Sequence, residues 1–229
     1  MTISEKIKNR IKSKGKRFFS NDNISEFIES DIEKAALIDE VTEKAEGFLQ
    51  SLIIDTENDP NAKGTARRIA KMYVEELFSG RYEPEPNVTA FPNEGDDSYQ
   101  GMLVIRADIK SICSHHHQPV SGVAYIGIIP NGKVLGLSKY IRLAQWEARR
   151  GTLQEELCTR IADAIQKHTG TENVAVYIQA THGCCENRGV KTHNSLTQTT
   201  VLRGGFKSDP SVREEFYHNL RMQSSFRAE

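Results

Sequence analysis

Between residues 31 and 52 the apolar positions Leu37, Val41, Ala45, Phe48, Leu49 and Leu52 recur at three- and four-residue spacing, as in an amphipathic helix. Asp59-Pro60 and Gly64 break the rhythm. A second helix is expected from Thr65, a suitable N-cap, through Ile69, Met72, Tyr73 and Leu77 to Ser79-Gly80. Residues 81–101 carry Pro84, Pro86 and Pro92 among acidic and Gly/Asn positions, and read as a long loop. Ahead of all this, Ile3, Ile7 and Ile11 alternate with lysines. That stretch is expected to be a loosely packed terminal helix, in preference to a transit peptide or a membrane-surface helix.

The period changes at Met102. Residues 102–105 and 122–129 are β-rich, and Pro130-Asn131-Gly132 follows as a turn. A helix is expected from Ser138 to Arg150, ended by Gly151. Thr152 with Glu155 three residues on has the form of a capping box. The helix it would start has the stripe Leu153, Leu157, Ile161, Ala164 and Ile165, and Gly170 closes it. Strands are expected at 173–180 and 195–202. A last helix begins at Asp209-Pro210 and contains Val212, Phe216 and Leu220. Strand, strand, helix, helix, strand, strand, helix is an α+β order, not an alternating βαβ chain. The organisation expected is an extension over 1–30, a helical region and loop over 31–100, and the mixed region over 101–229, working as one domain.

Charge narrows the class. Lys and Arg number 30 against 31 Asp and Glu, so no positive field exists to coat nucleic acid. Hydrophobic content of 38% is too high for wholesale disorder, and no apolar run approaches a membrane span. The expected location is the cytoplasm, with neither nucleic acid nor membrane as partner. Thiols stay reduced there, so clustered cysteines suggest metal or catalysis.

Two such clusters stand out: Cys113-Ser114-His115-His116-His117 and Thr181-His182-Gly183-Cys184-Cys185. Thiolate and imidazole suit zinc, and a Cys-x-x-His pair plus one distant Cys leaves a fourth tetrahedral position open for catalysis. The candidate ligands are Cys113, His116 and Cys184. Composition alone leaves open Cys184 against Cys185, and His115, His116 and His117 against one another. It also leaves open a closed structural site with His117 or Cys185 as fourth donor. His115 and His182 flank the ligands and are candidate acid/base groups, or hydrogen-bonding groups that orient a ligand. Lys139 and Arg142 share a helix face, as do Arg68 and Lys71, and Arg188 follows the second cluster. Together they would form an anion site suited to phosphates, and Ser138 is a candidate N-cap beside it. Taken singly, each of these cations reads as part of a solvated helix face.

Gly136-Leu137-Ser138-Lys139, Gln154-Glu155, Thr181-His182-x-Cys184 with Arg188-Gly189, and Arg68-x-x-Lys71-Met72-Tyr73 together resemble GTP cyclohydrolase I. The likeness runs from about Thr65 to Phe216. It implies the tunnelling fold, an antiparallel sheet with two helices on one face, here with an N-terminal helical extension. Subunits of that fold join their sheets into an oligomeric barrel, and the resemblance implies a homodecamer. The activity it implies is conversion of GTP and water to 7,8-dihydroneopterin triphosphate and formate, feeding folate, pterin or 7-deazaguanine synthesis. Cys113, His116 and Cys184 would hold one zinc ion per subunit, activating water for attack at C8 of guanine. His115 and His182 would move protons, and Ser138 would assist at the ribose. Lys139, Arg142 and Arg188 would bind triphosphate, with Arg68 and Lys71 helping from a neighbouring subunit. Gln154 and Glu155 would read the guanine edge, a role that competes with Glu155 as a capping residue. The sequence departs from the family at Ser114, Ala66, Glu156, Cys185 and Glu186, none of them a proposed ligand or phosphate contact. Two relatives in fold, a nitrile reductase with a nucleophilic cysteine and a synthase with three histidines on zinc, do not match Cys113, His116 and Cys184.

Overall fold

The computed structural model describes residues 1–192 and 195–225, with side chains described up to residue 223. The chain divides into two compact units that meet at Pro84 and Glu85. Among the described residues no helix is long and apolar enough to cross a membrane.

The first unit opens with α1 (Ile3–Ser13), where Thr2 and Glu5 form a capping box. The expectation of loose packing fails here. Ile7 and Ile11 are 3% and 1% exposed, buried with Ile24, Phe27 and Leu37. Arg10 ties α1 to Glu29 and Glu33. Next comes α2 (Asp31–Ser51), capped by Ser30. α3 (Thr65–Lys71) starts one residue away from the expected cap. Gly64 is the N-cap, at φ +76°, and Thr65 is the first helical residue. The left-handed turn into the helix favours glycine, so the cap is set by backbone rather than hydroxyl. The chain then widens into a π-type turn over Met72–Leu77 and ends the unit with α4 (Ser79–Tyr82).

The second unit is built on a sheet. Its elements in order are β1 (Ala90–Asn93), β2 (Leu103–Cys113), β3 (Pro119–Ile128), β4 (Gly132–Leu135), α5 (Leu137–Ala148), β5 (Gly151–Thr152), α6 (Gln154–Thr169), β6 (Val174–His182), α7 (Gly183–Glu186), β7 (Thr197–Leu202), α8 (Gly205–Ser208) and α9 (Pro210–Ser225). The main sheet has the order β5-β2-β3-β6-β7, antiparallel except for a two-residue parallel step between β5 and β2. β1 and β4 pair separately as a small antiparallel ribbon. Neither was expected, because Pro92 and the flanking polar residues mask strand character.

Period-two alternation gives the main sheet two apolar faces. Ile105, Ala107 and Ile109 of β2, Ala124 and Ile126 of β3, and Val176 and Ile178 of β6 face α5 and α6, meeting Tyr140, Leu143, Leu157, Ile161 and Ile165. Two helices therefore cover one face, as expected. The opposite face presents Tyr125 and Ala175 to Phe206, Phe216 and Leu220 of α8 and α9. Gly127 of β3 lies directly beneath Phe216, where a Cβ would come within 2.7 Å of the ring.

Two expected caps are displaced in this unit. The N-cap of α5 is Gly136, not Ser138. The N-cap of α6 is Leu153, with no side-chain cap bond, so the Thr152–Glu155 capping box does not form. The cause is tertiary: Thr152 is drawn into the sheet as the pairing partner of Cys113, and helix can begin only after it leaves the strand.

Candidate active site

The register of the sheet decides which residues meet. Ile112 pairs with Pro119 at the end of the β2–β3 hairpin, and Val120 pairs with His182. The ends of β2 and β6 therefore lie on either side of the start of β3. Cys113 closes β2, and His182 closes β6 with Cys184 following on α7. The pairing of Cys113 with Thr152 brings the start of α6, with Gln154 and Glu155, to the same end.

Cys113 is buried at 5% exposure, Cys184 is half-buried and packs against the same core, and both are free thiols. Burial, and then the neighbouring thiols of Cys113 and Cys185, push the Cys184 thiol up to about 11. The Cys184 and Cys185 sulfurs are 4.0 Å apart. Two soft donors thus converge, as a zinc site needs. The third candidate does not join them. His115, His116 and His117 sit exposed on the hairpin turn, with the rings of His115 and His116 edge-on at 6.3 Å. That turn is held by a bond from the His117 N–H to the Cys113 carbonyl, with His117 at φ +52°. Among the described residues no group of three metal-binding side chains is assembled. The donor types fit zinc, and two of the three candidate ligands lie near each other.

His182 is half-buried, and its Nε2 lies 2.8 Å from Gln154 Oε1. Burial lowers its pKa, against the raising influence of Glu155 and Glu186. Gln154 is 4% exposed, and its amide nitrogen faces the carbonyls of Ile178 and Thr197 and the hydroxyl of Thr199. Both ends of this amide are therefore occupied within the chain. The His182–Gln154 pair links residues 28 apart, and no spacing rule could have found it. Glu155, by contrast, is exposed at the first turn of α6.

The candidate phosphate-binding groups of the second unit lie on α5 and after α7. Ser138 and Arg142 are exposed on the first turns of α5, and Lys139 donates to the Asn87 carbonyl at 2.9 Å. α5 has 12 residues and leads at its far end into β5 beside Cys113. Its length of about 18 Å separates Ser138 from the cysteine end within one chain. Arg188 is exposed just beyond α7. Arg68 and Lys71 are exposed on α3 of the first unit, where Arg68 bonds to Lys63 and Thr65.

Comparison with known proteins gives this arrangement a family context. The family described as GTP cyclohydrolase I matches residues 41–221. Similar curated proteins include GTP cyclohydrolase 1 of Aeromonas salmonicida, 42% identical over 78% of this chain and 84% of the relative. GTP cyclohydrolase 1 of Vibrio vulnificus is 40% identical over 80% and 86%. That of Flavobacterium johnsoniae is 37% identical over 86% and 87%.

Proposed function

We propose how this chain, which belongs to the GTP cyclohydrolase I family, carries out its reaction. It is a hydrolase of that type. In our reading it converts GTP and water to 7,8-dihydroneopterin triphosphate and formate, with one zinc ion per subunit. The observation that carries this reading is the convergence of Cys113, Cys184, His182 and the start of α6 at one end of the sheet. Cys113 and Cys184 would hold the metal, with His116 as third donor. When bound, zinc supplies Lewis acidity that lowers the pKa of water towards ~7.

The side chains supply the rest. His182, beside the thiol pair, would take and return protons as the imidazole ring of guanine opens and formate leaves, with His115 on the hairpin turn as second proton carrier. Glu155 would accept hydrogen bonds from guanine N–H groups, which adenine does not offer in that pattern. Gln154, whose amide is bonded internally, would contribute from beneath, by fixing its neighbours. Ser138 would assist at the ribose. Lys139, Arg142 and Arg188, helped by Arg68 and Lys71 of a neighbouring subunit, would hold the triphosphate through charge-assisted hydrogen bonds.

Within one chain the length of α5 keeps Ser138 and Lys139 from the thiols. A complete site therefore calls for a second subunit. We place the chain in a homo-oligomer, a decamer whose sheets form the barrel of the tunnelling fold. The product would feed folate, pterin or 7-deazaguanine synthesis. The test is to incubate metal-loaded protein with GTP and measure pterin fluorescence, formate and zinc on one sample. Release of formate in step with zinc content is expected, and zinc-replete protein that releases none would sink the reading.

A further inference from the structure

The side chain of Gln154 is held in one orientation by its surroundings. Its nitrogen lies 3.2 Å from the Ile178 carbonyl, 3.1 Å from the Thr197 carbonyl and 3.2 Å from the Thr199 hydroxyl. An amide nitrogen carries two hydrogens and accepts nothing, while a carbonyl oxygen only accepts. The two carbonyls therefore demand the nitrogen. A flipped amide would set oxygen against two oxygens and leave buried groups unpaired.

With the nitrogen so fixed, the Gln154 oxygen faces His182 Nε2 at 2.8 Å. That oxygen is an acceptor only, so Nε2 must carry the hydrogen. A neutral imidazole protonated on Nε2 has its lone pair on Nδ1. The two carbonyls belong to β6 and β7, so strand backbone sets the orientation, not a mobile side chain.

We propose that Gln154 is the positioning residue that holds His182 as its Nε2–H tautomer, leaving Nδ1 as the atom that exchanges protons with the substrate. This rests on the GTP cyclohydrolase reading for the identity of the substrate. It also assigns Gln154 a task other than reading the guanine edge.

The test begins on the unaltered, metal-loaded protein with ¹⁵N-labelled histidine, at a pH where the imidazoles are neutral. The His182 signals are assigned by their loss in His182→Asn. The expected result is a protonated Nε2 and an unprotonated Nδ1, and the reverse assignment overturns the proposal without any Gln154 variant having to fold. In Gln154→Leu the Nε2–H preference should be lost. There kcat for formate release should fall roughly 10- to 100-fold, with KM for GTP within about threefold of wild type. A raised KM with unchanged kcat would make Gln154 a guanine contact and overturn the proposal, as would an unchanged tautomer. The ¹⁵N readout does not depend on turnover. Wild-type protein that shows the tautomer but releases no formate therefore counts against the GTP reading, not against the role of Gln154.

Discussion

Cys184 stands between two other thiols, and its chemistry follows from that crowding. Burial and the sulfurs of Cys113 and Cys185 hold it protonated, with a pKa of about 11. Because the pKa is raised, the nucleophilic thiolate is scarce at neutral pH and grows as pH climbs towards that value. In metal-free protein at pH 8, alkylation of Cys184 should be roughly a hundredfold slower than that of an ordinary cysteine. Mass spectrometry of iodoacetamide-treated protein measures this, and labelling as fast as a free thiol would refute it. We propose Cys184, which packs against the core around Cys113, as the ligand in preference to Cys185. Cys184→Ser is expected to lose zinc and activity together, whereas Cys185→Ser should keep both. Metal analysis showing zinc lost from Cys185→Ser would move the ligand, or add a fourth and turn the site structural.

At the scale of elements, two contacts carry clear consequences. Gly127 gives Phe216 its seat on the sheet, and a Cβ there would meet the ring at 2.7 Å. Gly127→Val should lift α9 from the sheet and cost about 1–3 kcal/mol by overpacking. Chemical denaturation reads that loss, and an unchanged midpoint would mean that α9 is not seated there. In the first unit, Glu33 bonds Arg10 of α1. Burial alone would raise the Glu33 pKa, but hydrogen bonds from Arg10 and from the Glu29 backbone outweigh it and hold the carboxyl below its ordinary value. A carboxyl depressed in the folded state stabilises fully above its unfolded pKa and loses that contribution as pH falls through the folded one. The Arg10–Glu33 contribution should therefore be present at pH 6 and fade below about pH 4. Arg10→Met should destabilise at pH 6 and much less at pH 3, and equal destabilisation at both would refute the linkage.

At the scale of the whole molecule, Ser138 and Lys139 open a 12-residue helix whose far end leads to the strand beside Cys113. If each site takes its cysteine end from one chain and its Ser138–Lys139 end from another, two dead variants should rescue each other. Cys184→Ser and Lys139→Ala, unfolded together and refolded as a mixture, should regain up to about a quarter of wild-type activity, because half the chains of each kind meet at random. A mixture no more active than its two components would confine the site to a single chain.

Local pattern made much of this molecule legible. Residues 31–51, 154–169 and 174–182 show their periods because each lays one apolar stripe or alternating row against a core. The residue types at 113, 116 and 184 are legible as candidate metal donors because thiolate and imidazole are the ligands zinc takes. The helix starts are not legible locally for a physical reason: Thr65 and Thr152 have the right hydroxyl, but a cap is chosen by what the backbone is doing. The backbone is in a left-handed turn at Gly64 and in a strand at Thr152. β1 and β4 went unseen because their pairing is non-local.

The sequence by itself determined the α+β order, the apolar faces and which residues can do metal, proton and phosphate chemistry, since these depend on residue type and nearest spacing. Only the tertiary structure decided which of them meet. Strand register set Cys113 beside Cys184, placed Gln154 under His182 and left Ser138 a helix length away. Register is a property of paired strands, and one strand read alone does not contain it.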